Sequence, residues 1–370
     1  MRSNYITLSI HLHTINLGTR IKATFIFFSL TSLDQNAVSR QAVELVSEGP
    51  TAKESWTSTV PLVGQITAKP NPSTQQDHLD NHLAWRIYME PWKDGGHGAL
   101  LKTSVKELKI VESAFPLVSN PEAILAMAAW FATLLLVDDL LENMDLDDAR
   151  QALTDSIRIL SGTHVTVSEE TNKPVVKVCH VIRSLRMRIS QLLGHGSAIA
   201  MLRDVKACLE GQMDELRYRS SPCTSLQEYS RIRHRSIGAM PFLTLAALQL
   251  AHDSSAKANR FLVSLKELVV SIVFLQNDLV GLEKDLKEDV SMNAFMVMRQ
   301  SRGSPTIPTS EDLAELAAQH NALVSKALFM YRRNAGQDGS DTYTLAATSI
   351  ISFIETHLTW ARKSRRYDVS

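Results

Sequence analysis

The sequence predicts an all-α protein built as one large helical bundle. Glycine and proline are scarce inside long segments whose apolar residues recur with helical periodicity. No alternation of apolar and polar residues persists long enough to predict a sheet, and no repeat occurs at solenoid periods. Two segments, Ala123 to Val137 and Leu268 to Leu275, are apolar on most sides, which is typical of helices in the middle of a bundle.

The N-terminal part differs in composition from the rest of the chain. The first forty-odd residues give no periodic element, and residues 47–77 are dense in Ser, Thr, Pro and Gln, which is typical of a linker. We therefore expect a poorly structured extension over 1–76 and a helical domain over 77–370. A signal peptide is not expected, because the start lacks a compact basic region and a continuous apolar core. A transit sequence or a misassigned gene start stays open.

Ten helices are predicted after that extension. Turn residues such as Ser161, Gly162 and Gly303 separate them, and Thr309 or Ser310 makes an N-terminal cap for one of the last. The predicted ranges are 101–115, 120–144, 146–161, 174–192, 196–218, 225–252, 256–287, 290–301, 310–334 and 341–364.

Composition excludes several classes of function. The 39 basic and 39 acidic residues give no net charge, so no global field attracts nucleic acid or an anionic membrane. Three cysteines without C-x-x-C spacing argue against a disulfide framework and a structural zinc site. The apolar stretch 123–137 is shorter than the roughly twenty residues that span a bilayer. We expect a soluble, cytoplasmic protein without a nucleic-acid partner or membrane span, either a monomer or a homodimer.

The first central helix ends in an acidic motif, Asp138-Asp139-Leu140-Leu141-Glu142. Asp138 and Glu142 are four residues apart and share a helix face. Such carboxylates suit Mg²⁺, which takes oxygen ligands and completes its shell with water and substrate phosphates. A solvated acidic turn explains this motif equally simply.

The second central helix ends in Asn277-Asp278-Leu279-Val280-Gly281-Leu282-Glu283-Lys284-Asp285. Asn277, Gly281 and Asp285 fall at i, i+4 and i+8, so they form one stripe of the helix. Taken alone, this motif is explained about as well by an exposed helix end with ion pairs. Because both central helices end in oxygen donors, the pair of motifs favours a metal site between facing helices.

The two motifs resemble those of class I terpene synthases, of the microbial and fungal sesquiterpene synthase type. DDLLE is similar to the aspartate-rich motif and NDLVGLEKD to the Asn/Ser/Glu motif, and Asn277 follows Asp138 by 139 residues. The resemblance implies a helical bundle around a central active-site cavity that binds three Mg²⁺ ions. It implies metal positions at Asp138, Glu142, Asn277, Gly281 and Asp285, supported by Asp139 and Asp278.

Two positions depart from that family's pattern. Gly281 stands where Ser or Thr is usual, so a water must fill that coordination position. Asp285 stands where Glu is usual, and its shorter side chain must approach the metal more closely. These departures concern the geometry of the site.

The resemblance also implies cations that hold a diphosphate. Arg233, 44 residues before Asn277, begins an R-x-x-S-x-G pattern that resembles the diphosphate-sensing arginine and the helix break after it. Its planar guanidinium can donate two parallel hydrogen bonds to phosphate oxygens. Arg231 and Arg235 are alternatives, and three alternate arginines are otherwise typical of a solvated face.

Further cations lie beside the second motif and near the C-terminus. Lys284 would add a point charge on the leaving group. Arg366 and Tyr367 resemble the family's C-terminal pair, which closes over the diphosphate. Basic residues at a helix C-terminus also simply complement the helix dipole.

The cavity below the metals is expected to be apolar, with aromatic faces that tolerate a cation. Helical position favours residues one or two turns before each motif, and the resemblance adds one tryptophan. The candidates are Phe131, Leu134, Leu135, Phe274 and Trp360. Ordinary core packing is the alternative for each.

The expected function is that of a carbon–oxygen lyase acting on phosphates in isoprenoid secondary metabolism. It would ionise a linear prenyl diphosphate, with farnesyl diphosphate first among the candidates, and cyclise it to a sesquiterpene with release of diphosphate. One alternative is a chain-elongating prenyl diphosphate synthase, although that class carries two DDxxD motifs. A second is a non-catalytic binding protein that lost activity with Gly281. A third, a metal phosphohydrolase around His252 and Asp253, lacks a partnering histidine pattern.

Overall fold

The computed structural model describes most of the chain. Described are residues 4–16, 22–33, 56–62, 72–93, 96–163, 165, 173–219, 221, 223, 225–251, 256–288, 292–303, 310–334 and 341–364. Contacts between residues divide the chain into two compact units, one of residues 1–69 and 307–322 and one of residues 70–306 and 323–370.

Three strands form an antiparallel sheet in the N-terminal part. They are β1 (Asn4–Asn16), β2 (Lys22–Leu33) and β3 (Trp56–Leu62), in the order β2-β1-β3. No regular element was predicted for this part of the chain. Four apolar residues of β1 from Ile6 to Leu12 nevertheless alternate with Thr, Ser and His at a period of two. That residues 1–76 form an extension distinct from the helical domain stays a prediction.

The rest of the described chain is helical and confirms the predicted all-α bundle. A 3₁₀ turn, Leu216–Tyr218, follows the sixth helix. The helices are α1 (Pro72–Met89), α2 (Gly96–Ala114), α3 (Pro121–Glu142), α4 (Leu146–Leu160), α5 (Pro174–Leu192), α6 (His195–Glu215), α7 (Leu226–Ser236), α8 (Met240–Leu250), α9 (Ala256–Lys287), α10 (Ala294–Ser301), α11 (Ser310–Asn334) and α12 (Asp341–Lys363).

Helix α1 was not among the predicted helices, because polar residues share its buried face with Trp85 and Met89. His82 and Arg86 are buried there, and so is Glu90 just after the helix. His82 Nε2 lies 2.8 Å from Glu107 Oε2 of α2, and Arg86 forms an ion pair with Glu90. Buried polar residues of this kind interrupt the apolar stripe that helical periodicity detects.

Helix α3 is the core helix of the bundle. It packs against α1, α2, α5 and α8, and Met127, Ala128 and Trp130 on it are almost completely buried. Its N-terminus is capped by Asn120, whose side chain accepts a hydrogen bond from Ala123 N at 3.0 Å. At 22 residues the helix is long and apolar enough to cross a membrane. The helix is longer than the apolar stretch 123–137 because it continues into polar residues at both ends. Most of its apolar residues are buried inside the protein, as in a core helix.

The single helix predicted over 225–252 is wrong, because the chain breaks between α7 and α8. Gly238 has a positive φ of 72° at this break. Its carbonyl accepts a hydrogen bond from Trp130 Nε1 at 2.9 Å. A Cβ at Gly238 would lie 2.7 Å from a methyl carbon of Leu134, so only glycine allows this close approach to α3. The break that the R-x-x-S-x-G pattern implied is thus present, one turn of α3 before Asp138.

Helices α9 and α12 are joined below the second motif by a buried hydrogen-bonded pair. Gln276 Nε2 donates to the Ile354 carbonyl at 3.1 Å, so its Oε1 is the acceptor for His357 Nδ1 at 2.9 Å. His357 is therefore the tautomer protonated on Nδ1. Burial lowers the pKa of His357 to about 4.

His357 predicts a measurable loss of stability in acid. Between pH 6.5 and about 4 the unfolded chain binds a proton at His357 that the folded protein does not, so falling pH costs up to roughly 3 kcal/mol at this residue. His357→Gln should remove that contribution and flatten the decline. Urea unfolding from pH 7 to 4 measures it, with the exposed His97→Gln as control. Equal slopes for wild type and His357→Gln would contradict the assignment.

Gly238 predicts opposite outcomes for two glycine substitutions. Gly238→Ala should destabilise the protein by about 1–3 kcal/mol, because alanine is strained at this φ and meets Leu134. Gly98→Ala, in α2, has no atom within 4 Å of the added Cβ and should be neutral or slightly stabilising. Thermal unfolding of both variants checks this. A Gly238→Ala protein as stable as Gly98→Ala would be inconsistent with the close packing.

Candidate functional site

The end of α3, which carries the first motif, is held by capping interactions. Asn143 Nδ2 donates to the Asp139 carbonyl at 2.7 Å, and the Arg219 guanidinium donates to the Leu141 and Met144 carbonyls at 2.8 and 3.2 Å. These donors satisfy carbonyls that have no partner within the helix. Of the predicted acidic residues on α3, Asp138 is half-buried, whereas Asp139 and Glu142 are exposed.

The end of α9, which carries the second motif, is more deeply buried. Asp278 and Gly281 are buried, and Asn277, Lys284 and Asp285 are half-buried. Lys284 Nζ lies 3.3 Å from a carboxylate oxygen of Glu288 in the next turn. The Lys284 side chain, which was predicted to contact the diphosphate, therefore forms an ion pair with a residue one turn further along the chain.

Asp278 is the most enclosed carboxylate of the site, with 1% of its side chain exposed. Its carboxylate accepts a hydrogen bond from the Tyr229 hydroxyl of α7 and another from Ala294 N of α10 at 3.1 Å. Arg233 Nη2 lies 3.4 Å from the other oxygen. Burial raises the pKa of Asp278, and Arg233 and the two hydrogen bonds oppose that rise. Asp278 therefore binds protein groups and does not face solvent.

Arg233 lies between two carboxylates. Its Nη1 donates to Glu215 Oε1 of α6 at 2.9 Å, and its Nη2 pairs with Asp278. Burial by itself would lower the pKa of Arg233, but Glu215 and Asp278 outweigh it and raise the pKa well above its usual value. Its Nε is buried without a hydrogen-bond partner among the described residues. The Nε–H of Arg233 is thus a donor that no described residue of the protein uses.

The two other arginines of α7 pair with carboxylates that Arg233 does not contact. Arg235 pairs with Asp214, and Arg231 lies 3.8 Å from the same carboxylate and 3.9 Å from Glu228. Both are more exposed than Arg233. Of the three arginines, Arg233 alone is described in contact with the second motif.

Asp285 is fixed by Asn293, the residue that caps α10. Asn293 Nδ2 lies 2.8 Å from Asp285 Oδ2. Burial raises the pKa of Asp285 to about 6, and the charge of Asp278 adds to the rise, while Asn293 opposes it. Sequence reasoning missed Asn293, although an Asn before the apolar start of a helix is an ordinary capping signal.

The thiol of Cys208 on α6 is affected by charged residues from several helices. This buried thiol donates to the Ser236 carbonyl at 3.3 Å. Burial raises the pKa of Cys208, the charges of Glu215 and Asp138 raise it further, and Arg233 lowers it. Asp138 of the first motif and Arg233, which contacts the second motif, thus act on the same thiol. Gly238 lies against Leu134, one turn before Asp138, and Arg233 pairs with Glu215 and Asp278. We call these carboxylates the acidic rim and define it by Asp138, Glu215, Asp278 and Asp285.

The predicted cavity residues fall into two groups. The Phe131 ring meets Trp360 edge to face at 5.5 Å between centroids, and Leu134 lies against Gly238, so these residues lie below the first motif. Leu135 is half-buried on the same helix. Phe274 instead packs edge to face on Tyr229, at 6.2 Å. That these side chains line a cavity stays a prediction.

The acidic rim fits a hard divalent cation by its donor type. Its side chains offer carboxylate oxygens, which Mg²⁺ prefers. Within the described ranges, no three His, Cys, Asp or Glu residues are close enough together to hold a metal ion without other ligands. Any metal here must take much of its shell from water and from a bound anion, next to the unpaired Nε of Arg233.

Some predicted residues cannot be located. Arg366 and Tyr367, predicted to close over the diphosphate, lie outside the described residues, as do His252 and Asp253.

Two residues of the site were missed by sequence reasoning besides Asn293. Tyr229 is four residues before Arg233 and so shares its helix face, whereas Glu215 carried no motif.

Solved structures share this fold. 2-Methylisoborneol synthase from Streptomyces coelicolor A3(2), in complex with Mg²⁺ and 2-fluoroneryl diphosphate, superposes with a TM-score of 0.64 at 13% identity, over 84% of this chain and 97% of that one. Linalool/nerolidol synthase from Streptomyces clavuligerus, in complex with 2-fluorogeranyl diphosphate, gives 0.58 at 18% identity, over 78% and 98%. Aristolochene synthase from Penicillium roqueforti gives 0.56 at 17%, over 83% and 100%.

Comparison with curated proteins finds no match. A family model does match: terpene synthase family 2, C-terminal metal binding, aligns with residues 129–325. The match covers more than half of the 370 residues and includes both motifs, Arg233 and Asn293. The chain therefore belongs to terpene synthase family 2 and is a class I terpene synthase, a lyase with the all-α fold of its structural neighbours.

Proposed function

We propose that this terpene synthase is a Mg²⁺-dependent cyclase that converts farnesyl diphosphate to a cyclic sesquiterpene and releases diphosphate. The observation that carries the proposal is the state of Arg233. Its guanidinium is held between Glu215 and Asp278, and its Nε has no partner among the described residues. The charges of Arg233 and Asp138 both act on the thiol of Cys208. A buried cation with a spare donor beside oxygen ligands suits a metal diphosphate.

The proposed metal ligands are Asp138 and Glu142 on α3 and Asn277 and Asp285 on α9. Hard Mg²⁺ takes such oxygen donors and completes its shell with water and phosphate oxygens, which suits two pairs of ligands on separate helices. At Gly281 a water would occupy the remaining position. Three ions are proposed by resemblance. When bound, Mg²⁺ supplies charge stabilisation for the departing diphosphate.

The chain's own residues have three roles in this mechanism. Arg233 donates to the diphosphate through Nε and orients it, and we assign Lys284, Arg366 and Tyr367 to the same leaving group. Stabilising the negative charge that develops on the leaving group lowers the barrier to breaking the allylic C–O bond. Closure of the site keeps water from the cation that results.

The proposed cavity then directs the cation. Phe131 and Trp360 offer aromatic faces and edges below the first motif, at 5.5 Å from each other. An aromatic face attracts a cation without reacting with it, by about 0.5–2 kcal/mol. Leu134, Leu135 and Phe274 would complete an apolar wall, whose shape selects the ring pattern. We further propose that the enzyme is cytoplasmic and acts as a monomer or homodimer.

Two neighbouring functions are less well supported. Chain elongation uses two DDxxD motifs, whereas the second motif here begins with Asn277 and carries Gly281. A degenerate binding protein is less well supported because both motifs keep carboxylates, at Asp138, Glu142 and Asp285. The substrate panel below separates all three.

The test is a panel of geranyl, farnesyl and geranylgeranyl diphosphates, each incubated with purified protein and Mg²⁺, with products identified by gas chromatography and mass spectrometry. We expect a cyclic fifteen-carbon product from farnesyl diphosphate and its loss in excess EDTA. Adding isopentenyl diphosphate should change nothing. A longer diphosphate product would establish chain elongation, and the absence of any terpene from all three substrates would reject the cyclase.

Matched aspartate substitutions test the metal assignment. Asp138→Asn should reduce turnover on the order of 100-fold or more, because it removes a charged ligand and keeps the shape. Asn277→Ala should have a similar effect. Asp147→Asn is the control, since Asp147 lies on α4 with 94% of its side chain exposed. Initial rates across a Mg²⁺ titration give the result, and wild-type turnover in both site variants would place the metals elsewhere.

A further inference from the structure

The Asn293 side chain forms hydrogen bonds through both its nitrogen and its oxygen at the acidic rim. Its side chain is completely buried. Nδ2 donates to Asp285 Oδ2 at 2.8 Å and to the Asp278 backbone carbonyl at 2.9 Å, while Oδ1 accepts from Phe295 N at 2.9 Å. An amide has two N–H donors on one nitrogen, so both contacts form at once.

These bonds join two helix ends through one side chain. The Oδ1 contact caps α10, and the two Nδ2 contacts reach back to α9, one to its backbone and one to a carboxylate. The next residue, Ala294, donates its backbone N–H to the Asp278 carboxylate at 3.1 Å. The start of α10 therefore fixes both aspartates of the second motif.

The contact with Asp285 has a specific consequence for that carboxylate. Asn293 occupies Oδ2 and leaves Oδ1 as the oxygen available to a cation. A carboxylate held by one oxygen loses less rotational freedom when the other binds a ligand, which is the usual effect of a supporting hydrogen bond. An aspartate has one fewer rotatable bond than a glutamate, so its carboxylate must be placed by the backbone and by such a partner.

We propose that Asn293 is a positioning residue that orients Asp285 for divalent cation binding. The inference rests on the proposed function, because it takes Asp285 as a metal ligand. Capping α10 needs only the Oδ1 acceptor, and Ser or Asp would provide that as well. The two donors of Nδ2 are what the capping role does not require.

The chain offers a matched control for this distinction. Asn120 caps α3 with the same acceptor contact, from Ala123 N at 3.0 Å, at the opposite end of that helix from Asp138. Asn293→Ser and Asn120→Ser both keep a capping oxygen. Only Asn293→Ser removes the donor to Asp285.

The experiment measures metal binding without turnover. Wild type, Asn293→Ser, Asn120→Ser, Asp285→Ala and the Asn293→Ser/Asp285→Ala double variant are titrated with Mn²⁺ in the presence of inorganic diphosphate. Free Mn²⁺ is followed by electron paramagnetic resonance, and unfolding without ligand reports intrinsic stability. We expect Asn293→Ser to weaken Mn²⁺ binding roughly 10- to 100-fold. Asn120→Ser should bind as wild type does.

The double variant decides whether Asn293 acts through Asp285. If it does, Asn293→Ser has no further effect on Mn²⁺ binding once Asp285 is Ala. Equal weakening by Asn293→Ser in both backgrounds, or wild-type binding by Asn293→Ser, would overturn the inference. If Asn293→Ser does not fold, Asn293→Thr replaces it, since it also keeps a capping oxygen and lacks the amide donors. Absence of Mn²⁺ binding in the wild type would instead reject the proposed function.

Discussion

The burial of the Asp278 carboxylate is the constraint on which the site depends. A buried charge is tolerated only where hydrogen bonds and an opposite charge replace water. Here three donors come from two other helices: Tyr229 and Arg233 of α7, and Ala294 at the start of α10. Because Asp278 itself belongs to α9, satisfying it requires the ends of these three helices to meet. The acidic rim is thus a consequence of the hydrogen bonds and the ion pair that the buried Asp278 carboxylate requires.

The apolar part of the domain brings the first motif to the same region. Helix α3 is buried along most of its length, so its polar C-terminal end is the part that reaches a surface. The break at Gly238 lets the junction of α7 and α8 lie against Leu134, one turn before Asp138. Arg233 pairs with Asp278 of the second motif, and its charge acts on the thiol of Cys208, as does the charge of Asp138 from the first motif.

The sequence predicted the helical class, the two central helices and the positions of both motifs, because these follow from composition and periodicity. It missed α1, whose buried face is partly polar, and the break at Gly238, where a single helix was expected. It also missed Glu215, Tyr229 and Asn293. Their importance comes from which helix ends pack together, and that is decided by tertiary contacts. Asn293 and Tyr229 carried local signals, a cap and an i+4 spacing, but Glu215 carried none.

The most direct test of the central claim, that α3 and α9 present one shared metal site, is a crystal structure with Mn²⁺ and inorganic diphosphate, with the metals located by anomalous scattering. The account predicts peaks about 2.0–2.5 Å from carboxylate oxygens of both Asp138 and Asp285, with the diphosphate against Arg233. Peaks distant from both motifs, or bound to one helix while the other keeps only water, would contradict it.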